Sequence, residues 1–401
     1  MILCLHRSAS FRLLVPCPYS SARMDFIEKQ KSSYVDLAPK FEKLGDLYNQ
    51  KLWHQLSLEL EIFLSDKANH RKNNILELYN EFISKFEARL NQVKLALLVS
   101  KIGHSLTDAN DALSFFNNVL TNRTRLGPEA SLCIDMDVVL AKLKLQQTSD
   151  AETILEEAKT KLAGISSSES AVFSKFFTAV AEYRKVVGPP QEFYKAALLL
   201  LAYTPIEEIP AEQKFILATD IALASITGED IYNFGEVIAT PILSVLKGTS
   251  NDWMRRLVLA LNKGDIDLFN SIVAESREQY YSQPSLSSRH EEIKKKLVLL
   301  SLMNIVFERP SHDRTITFTD IASRIRIPID QVEWVLMRAM SLGLIKGTID
   351  GCDQTVSVTW VLPRVLDNEQ LGLLVGQLEE WTDKVRQTVV TVSDQTAEIL
   401  V

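Results

Sequence analysis

The sequence predicts a mainly α chain built as an irregular helical-repeat solenoid, followed by a winged helix and one long C-terminal helix. Three observations carry that prediction. From about Phe41 to Tyr281 apolar residues recur at helical spacing and turn signals interrupt them at short intervals. Between Thr315 and Arg364 two helical stretches lead into two strands of alternating pattern. After Pro363 the apolar residues step by seven to the end of the chain. The expected divisions are an N-terminal extension at 1–23, the solenoid at 24–285, the winged-helix part at 286–366 and the terminal helix at 367–401.

The solenoid comes first. Ala109, Leu113, Phe116 and Leu120 form one stripe, and Ile216, Asp220, Leu223 and Ile226 form another with a polar interruption. Gly127-Pro128, Gly188-Pro189-Pro190, Pro205, Pro210 and Gly248 punctuate the array, so short helices should stack as hairpins. At Leu261-Asn262-Lys263-Gly264-Asp265, Gly264 can close one helix and Asp265 can cap the next, whose inner face is Phe269, Ile272 and Val273. No strict 34-residue consensus is present, which argues for an irregular solenoid over a tetratricopeptide array. Each hairpin of a solenoid touches mainly its neighbours, so the last one needs a cap, which a docked winged helix supplies. Ser282-Gln283-Pro284-Ser285 is the expected boundary. In Glu291-Glu292-Ile293-Lys294-Lys295-Lys296 the pairs Glu291/Lys295 and Glu292/Lys296 are four apart, the pattern of a solvated helix face.

Within the winged-helix part, Thr319 is the expected N-cap of a helix with Ile321, Ala322 and Ile325 inward, ended by Pro328. Asp330 is the expected cap of a second helix, with Glu333 three residues on and Ile329 stapled onto Trp334. Val332, Val335, Leu336, Ala339 and Leu342 face inward, and Gly343 supplies a left-handed stop. Strands follow at Ile345–Asp350 and 355–362, around a turn starting at Asp350-Gly351. Val356, Val358, Trp360 and Leu362 alternate onto one face. This order of elements often binds DNA, yet five bases (Arg324, Arg326, Arg338, Lys346, Arg364) are balanced by five acids (Asp320, Asp330, Glu333, Asp350, Asp353). Duplex affinity comes largely from neutralised phosphates, and two acids open the would-be recognition helix, so protein contact is favoured over nucleic acid.

The terminal helix carries Leu371, Leu378, Val385, Val392 and Ile399 seven apart, with Leu374 and Trp381 between them before Thr388 and Gln395 weaken the seam. Gly372 and Gly376 each cost up to about 1 kcal/mol relative to Ala, so the helix should need a partner surface. Either its own domain or a bundle with other chains can supply one. The seam favours the bundle, because it runs on past a wing that is already closed.

Composition narrows the function classes. At 401 residues the chain is long enough for two or three domains, and a net charge of −7 disfavours a general binder of nucleic acid or anionic membrane. Four scattered cysteines, Cys4, Cys17, Cys133 and Cys352, form no C-x-x-C pair, which fits a reducing compartment. The most apolar run, 297–307, contains Ser301 and Asn304 and is too short to span a bilayer, so no membrane role is expected. Residues 1–23 carry Arg7, Arg12 and Arg23 and no acid. That is the composition of a transit peptide or short signal, against which stands a start at Met24. His6, His54, His70, His104, His290 and His312 include no pair at ligand spacing, and phosphate-binding, dinucleotide-binding and serine-nucleophile motifs are absent. No catalytic, cofactor-binding or metal site is therefore expected. His54 reads as a surface or packing residue, and Asp135 and Asp137 as ordinary helix acids.

Helical hairpins leading into a winged helix and a terminal helix resemble the PCI family, whose members scaffold large assemblies. The stretches Lys51-Leu52-Trp53-His54-Gln55-Leu56, Leu78-Tyr79-Asn80-Glu81-Phe82-Ile83, Tyr232-Asn233-Phe234-Gly235-Glu236, Leu342-Gly343-Leu344-Ile345-Lys346-Gly347 and Thr359-Trp360-Val361-Leu362-Pro363-Arg364-Val365-Leu366-Asp367 look like those of a PCI subunit of the proteasome regulatory-particle lid. The resemblance implies a noncatalytic subunit of cytoplasm and nucleus that supports ubiquitin-dependent protein degradation. It implies as partners other lid PCI subunits and regulatory-particle components, with a ubiquitin receptor nearby. It places those contacts on the wing strands (Val356, Val358, Trp360) and on the seam of Leu371, Leu374, Leu378, Trp381, Val385 and Val392. A PCI scaffold of the signalosome or of a translation initiation factor is the alternative, and a winged-helix nucleic-acid binder a more distant one.

Overall fold

A computed structural model describes residues 38–65, 72–106, 108–121, 126–165, 169–309, 314–365 and 368–396. The extension at 1–23, Met24, His70, His312, Asp367 and Ile399 lie outside them. The chain divides into two compact units, Met1–Tyr183 and Arg184–Val401.

The first unit is a run of helices: α1 (Ala38–Asn49), α2 (Trp53–Ser65), α3 (Lys72–Glu77), α4 (Gln92–Ser105), α5 (Ala109–Thr121), α6 (Pro128–Lys144), α7 (Thr148–Ala163) and α8 (Ser170–Val187), the last of which reaches the division. Sequence neighbours pack as hairpins, α1 on α2, α5 on α6 and α6 on α7, while α4 lies against α2 and α6. Helix α6 is buried almost all round, with Leu132, Cys133, Ile134, Met136 and Val139 fully enclosed, as expected of a helix at the centre of an array. Pro128 starts it at the one position where a missing N–H costs nothing. On α5 the inward face is Ala112, Phe115, Phe116, Val119 and Leu120, displaced slightly from the stripe the spacing suggested.

Two acids of α6, Asp135 and Asp137, are buried. Lys175 Nζ on α8 donates to Asp137 Oδ1 at 3.1 Å, and His104 Nε2 on α4 lies 3.0 Å from the same oxygen. Lys161 pairs with Asp135 at 3.3 Å. Burial by itself pushes the Asp137 carboxyl up, but the Lys175 charge and the His104 and Ser100 hydrogen bonds outweigh it, and the net shift is downward.

The second unit continues with α9 (Pro190–Tyr203), α10 (Ala211–Thr227), α11 (Gly235–Ala239), α12 (Asp252–Lys263), α13 (Ile266–Glu275), α14 (Arg277–Ser282), α15 (Pro284–Ser288) and α16 (His290–Glu308). The corner between α12 and α13 forms from the residues its sequence marked. Gly264 has φ 62°, and Asp265 accepts from the N–H groups of Asp267 and Leu268 at 3.0 and 3.1 Å. A β-carbon on Gly264 would lie 2.8 Å from Ser301 Cα, so glycine also lets the corner sit against α16. Phe269 and Ile272 are buried beneath it.

Helix α16 joins the helical part of this unit to the wing. Leu299, Leu302, Met303, Ile305 and Val306 share one core with Ile316, Phe318, Ile321, Val332, Leu336, Ile345 and Val356. Its early run is not the uniformly solvated face that the charge spacing suggested, because Lys296 is only 6% exposed. Its Nζ donates to the carbonyls of Ser225 and Gly228 at 2.8 and 2.9 Å and lies 4.9 Å from the Phe234 ring. The three-and-four spacing made a Glu292 pair plausible. The C-terminal carbonyls of α10, which carry negative partial charge and need donors, take the ammonium instead. Burial pushes the Lys296 pKa down to about 7.

The winged helix consists of β1 (Thr315–Thr317), α17 (Phe318–Ile325), α18 (Ile329–Ser341), β2 (Ile345–Asp350) and β3 (Thr355–Val361), with sheet order β1-β3-β2, all antiparallel. Both expected N-caps move. Thr317, not Thr319, accepts from the Asp320 N–H at 3.3 Å, because pairing of β1 with β3 holds Thr317 extended and starts the helix at Phe318. Pro328 precedes α18 in extended conformation, which puts Asp330 inside the first turn, where its charge still suits the helix dipole. Gly343 at φ 68° closes α18, its own N–H reaching Met340 O at 3.0 Å and that of Leu344 reaching Ala339 O at 3.0 Å. The final helix, α19, spans Asn368–Thr396.

Candidate interaction surface

The wing strands set which side chains face outward. Gly347 pairs with Val358 but Lys346 pairs with Trp360, so Thr359 is an extra residue bulged out of β3. Because side chains alternate along a strand, one inserted residue inverts the faces beyond it. Val356 and Val358 are therefore buried at 0% and 3%, Trp360 is turned outward, and Val361 packs on the core in its place. This corrects the expectation that Val356, Val358 and Trp360 share one exposed face: the two valines hold the wing's own core, and only the indole is presented. Lys346 Nζ lies 4.9 Å from the Trp360 ring. Gly347 permits the distortion, since a β-carbon there would fall 2.2 Å from Ser357 O.

Helix α18 presents a second apolar group. Trp334 is 73% exposed, with Ile329 and Met337 also on the surface, so the expected staple of Ile329 onto Trp334 buries neither. Sequence reasoning missed this site although the signal was present. Trp334 lies two residues from Val332 and two from Leu336, out of phase with both, and so on the opposite side of the helix. Among the wing bases, Arg326 forms a bidentate pair with Asp267 (2.5 and 2.6 Å), and Arg324 pairs with Glu308 at 2.7 Å. These cations already have carboxylate partners.

The largest apolar surface is on α19. Leu371, Leu374, Leu378, Trp381, Val385 and Val392 are between 41% and 65% exposed, and Val375 and Val389 widen the stripe. The seven-residue step places the six along one side of a helix of 29 residues. Gly372 and Gly376 have open space where a β-carbon would be. Chemically this is a coiled-coil-like seam that no other described residue covers. Among the described residues no three His, Cys, Asp or Glu side chains converge as a metal-binding set, and no helix is long and apolar enough to cross a membrane.

Comparison with known proteins separates helical repeats from a C-terminal domain. Residues 40–258 match the model described as PSD13 N-terminal repeats, and residues 269–360 match the PCI domain model. The chain is 35% identical to 26S proteasome non-ATPase regulatory subunit 13 homolog B of Arabidopsis thaliana over 94% of this chain and 99% of that one. It is 30% identical to 26S proteasome non-ATPase regulatory subunit 13 of Dictyostelium discoideum over 94% and 98%. A weaker likeness, 23% over 61% of this chain and 53% of the other, links it to eukaryotic translation initiation factor 3 subunit M of Coccidioides immitis. With both its helical repeats and its winged helix matched, and nearly its whole length shared with relatives of one name, the chain belongs to the family of 26S proteasome non-ATPase regulatory subunit 13.

Proposed function

We propose that this chain is a noncatalytic structural subunit of the proteasome regulatory-particle lid, scaffolding lid assembly and so supporting ubiquitin-dependent protein degradation in cytoplasm and nucleus. The observation that carries the reading is the seam of α19: six large apolar side chains in line, each at least 41% exposed. Burying such a side chain yields roughly 1.5–3 kcal/mol, so the seam supplies a strong drive to enter a helical bundle. Other PCI subunits of the lid are the proposed bundle partners, with further regulatory-particle components, a ubiquitin receptor among them, near the helical repeats. Trp360 and Trp334 are proposed as contacts of the wing. Nucleic acid and membrane are not proposed as partners, since the wing's charges sum to zero and two of its arginines are occupied by carboxylates. Affinity capture with the tagged full-length chain, beside one ending at Asp367, tests the proposal. Loss of lid subunits from the shortened chain is expected, and equal recovery refutes the role given to α19. The likeness to a translation initiation factor subunit favours a second reading, a PCI scaffold of another complex. The identities of the captured proteins separate the two.

A further inference from the structure

We infer that a groove in the helical repeats, far in sequence from the terminal seam, is a docking site for an acidic segment of a partner protein. The groove has a volume of about 520 Å³ and lies where the α1–α2 turn meets the start of α4. Its lining includes Lys51, His54, Arg89 and Lys94 and contains no acid, in a chain whose net charge is −7. Among the described residues none of these four side chains forms an ion pair. Two of the cations are positioned by the local fold. Arg89 stands 5.3 Å over the Trp53 ring, and Trp53 stacks on Phe86 at 5.8 Å. Lys51 occupies the left-handed region at φ 58°, which a residue with a β-carbon adopts at a cost of about 1 kcal/mol or more. Its N–H bonds to Tyr48 O at 3.1 Å and that of Leu52 to Leu47 O at 3.1 Å, so the turn closing α1 fixes Lys51 at the rim.

Two further features point to carboxylates. The first turn of α2 (Trp53, His54, Gln55) belongs to the lining, as do Asn91, which caps α4, and Lys94. Neither first turn holds an acid of its own. Glu169 reaches Asn91 at 3.5 Å but is not part of the lining. Leu52, at 39% exposure, and the partly buried Trp53 add apolar surface between the charges. An extended protein segment with carboxylates on either side of one bulky apolar side chain matches that pattern; a bare phosphate would leave the apolar floor unused. This assigns chemistry to Lys51-Leu52-Trp53-His54, which the terminal seam leaves unexplained.

The test uses the full chain and a fluorescein-labelled heptapeptide of glutamates with a central leucine, read by anisotropy at low salt. Binding in the micromolar range is expected for the unaltered protein, and the same peptide with lysines for glutamates should not bind. The triple variant Lys51→Glu, Arg89→Glu, Lys94→Glu should weaken binding by at least about tenfold. A control with Lys144→Glu, Lys159→Glu and Lys195→Glu changes the net charge equally and should bind as the unaltered protein does. All six positions are exposed or partly exposed, and unchanged thermal melts verify the fold. The inference is overturned if the peptide fails to bind up to about millimolar concentration, or if both triple variants weaken it alike. It is also overturned if inorganic phosphate at equal concentration displaces the peptide, or if a single-stranded oligonucleotide binds the groove more tightly. Because α19 is intact throughout, none of these results depends on lid assembly.

Discussion

Trp381→Ala is the sharpest probe of the α19 seam. The indole is 65% exposed in the isolated chain, and an aromatic side chain of this size can bury roughly 150–250 Å², so about 100–160 Å² is left for a partner to cover. At about 25 cal/mol per Å² that area corresponds to roughly 2.5–4 kcal/mol, or a loss of about 70- to 1,000-fold in affinity. The isolated chain should hardly notice, because removing an exposed side chain typically changes stability by no more than about 0.5 kcal/mol. The assay has two arms. One titrates labelled protein into lid particles lacking this subunit, and the other follows thermal unfolding of the free chain. Gln387→Ala, on the far side of the helix, is the control. If Trp381→Ala joins the particles as well as Gln387→Ala does, the seam is not the assembly surface. If instead it lowers the melting temperature of the free chain by several degrees, the indole is already sheltered at home and the argument from exposure collapses.

Three other perturbations test the fold that presents these surfaces. Asp137→Ala takes a fully buried carboxylate away from the half-buried Lys175 and from His104 and should cost about 1–3 kcal/mol in urea unfolding; a cost under about 0.5 kcal/mol would contradict the ion network. Since the Asp137 pKa is lowered in the folded state, its contribution is present above the ordinary carboxylate range and is lost as pH falls through the folded value. The stability gap between the native chain and Asp137→Ala should accordingly narrow in acid. For Lys296 the pH slope has the same sign, although here it is the charged form that burial disfavours. Its folded pKa of about 7 lies below that of the unfolded chain, so above pH 7 the unfolded state holds the extra proton. Stability relative to Lys296→Met should therefore rise from pH 7 to 9 by up to about 1.4 kcal/mol per unit, and a flat difference would show the burial argument to be wrong. Gly264→Ala combines a left-handed backbone with a β-carbon 2.8 Å from Ser301 Cα, and should destabilise by more than about 1 kcal/mol, as measured by denaturant midpoint.

Local rules made much of the winged helix legible in advance. Gly343 and the Gly264-Asp265 corner act through their own backbone, and the inward residues of α17 and α18 follow from spacing alone. What escaped depends on partners distant in sequence. Strand β1 has only three residues, too few for an alternating pattern, and exists because β3 pairs with it. Its pairing is also what moves the cap of α17 from Thr319 to Thr317. Lys296 looked solvated because the carbonyls that receive it come from a helix ending some seventy positions earlier. The same holds for Asp137, whose lysine comes from α8. Of the proposed contact residues, those on α19 could be placed by period, whereas Val356, Val358 and Trp360 could not be sorted without seeing the extra residue at Thr359.

That bulge bears on how the chain could join others. Without it, β3 would keep strict alternation, Trp360 would fall on the inner face beside Val358, and the wing would offer no indole at its sheet. The inserted residue lets one short strand do two things: its first half closes the core with Val356 and Val358, and its second half turns an aromatic ring outward beside Lys346. With α16 beneath it the wing has a closed core, with Ile316, Ile321, Val332, Leu336 and Ile345 at 0% exposure, and it has no need of α19 to finish that core. A helix that its own wing does not require keeps its apolar seam available. Aromatic groups near polar or cationic rims are the side chains that most often anchor interfaces, and here they stand on α18, on β3 and on α19. Three such anchors on separate elements allow contact with more than one neighbour at once, which is the physical requirement for a scaffold.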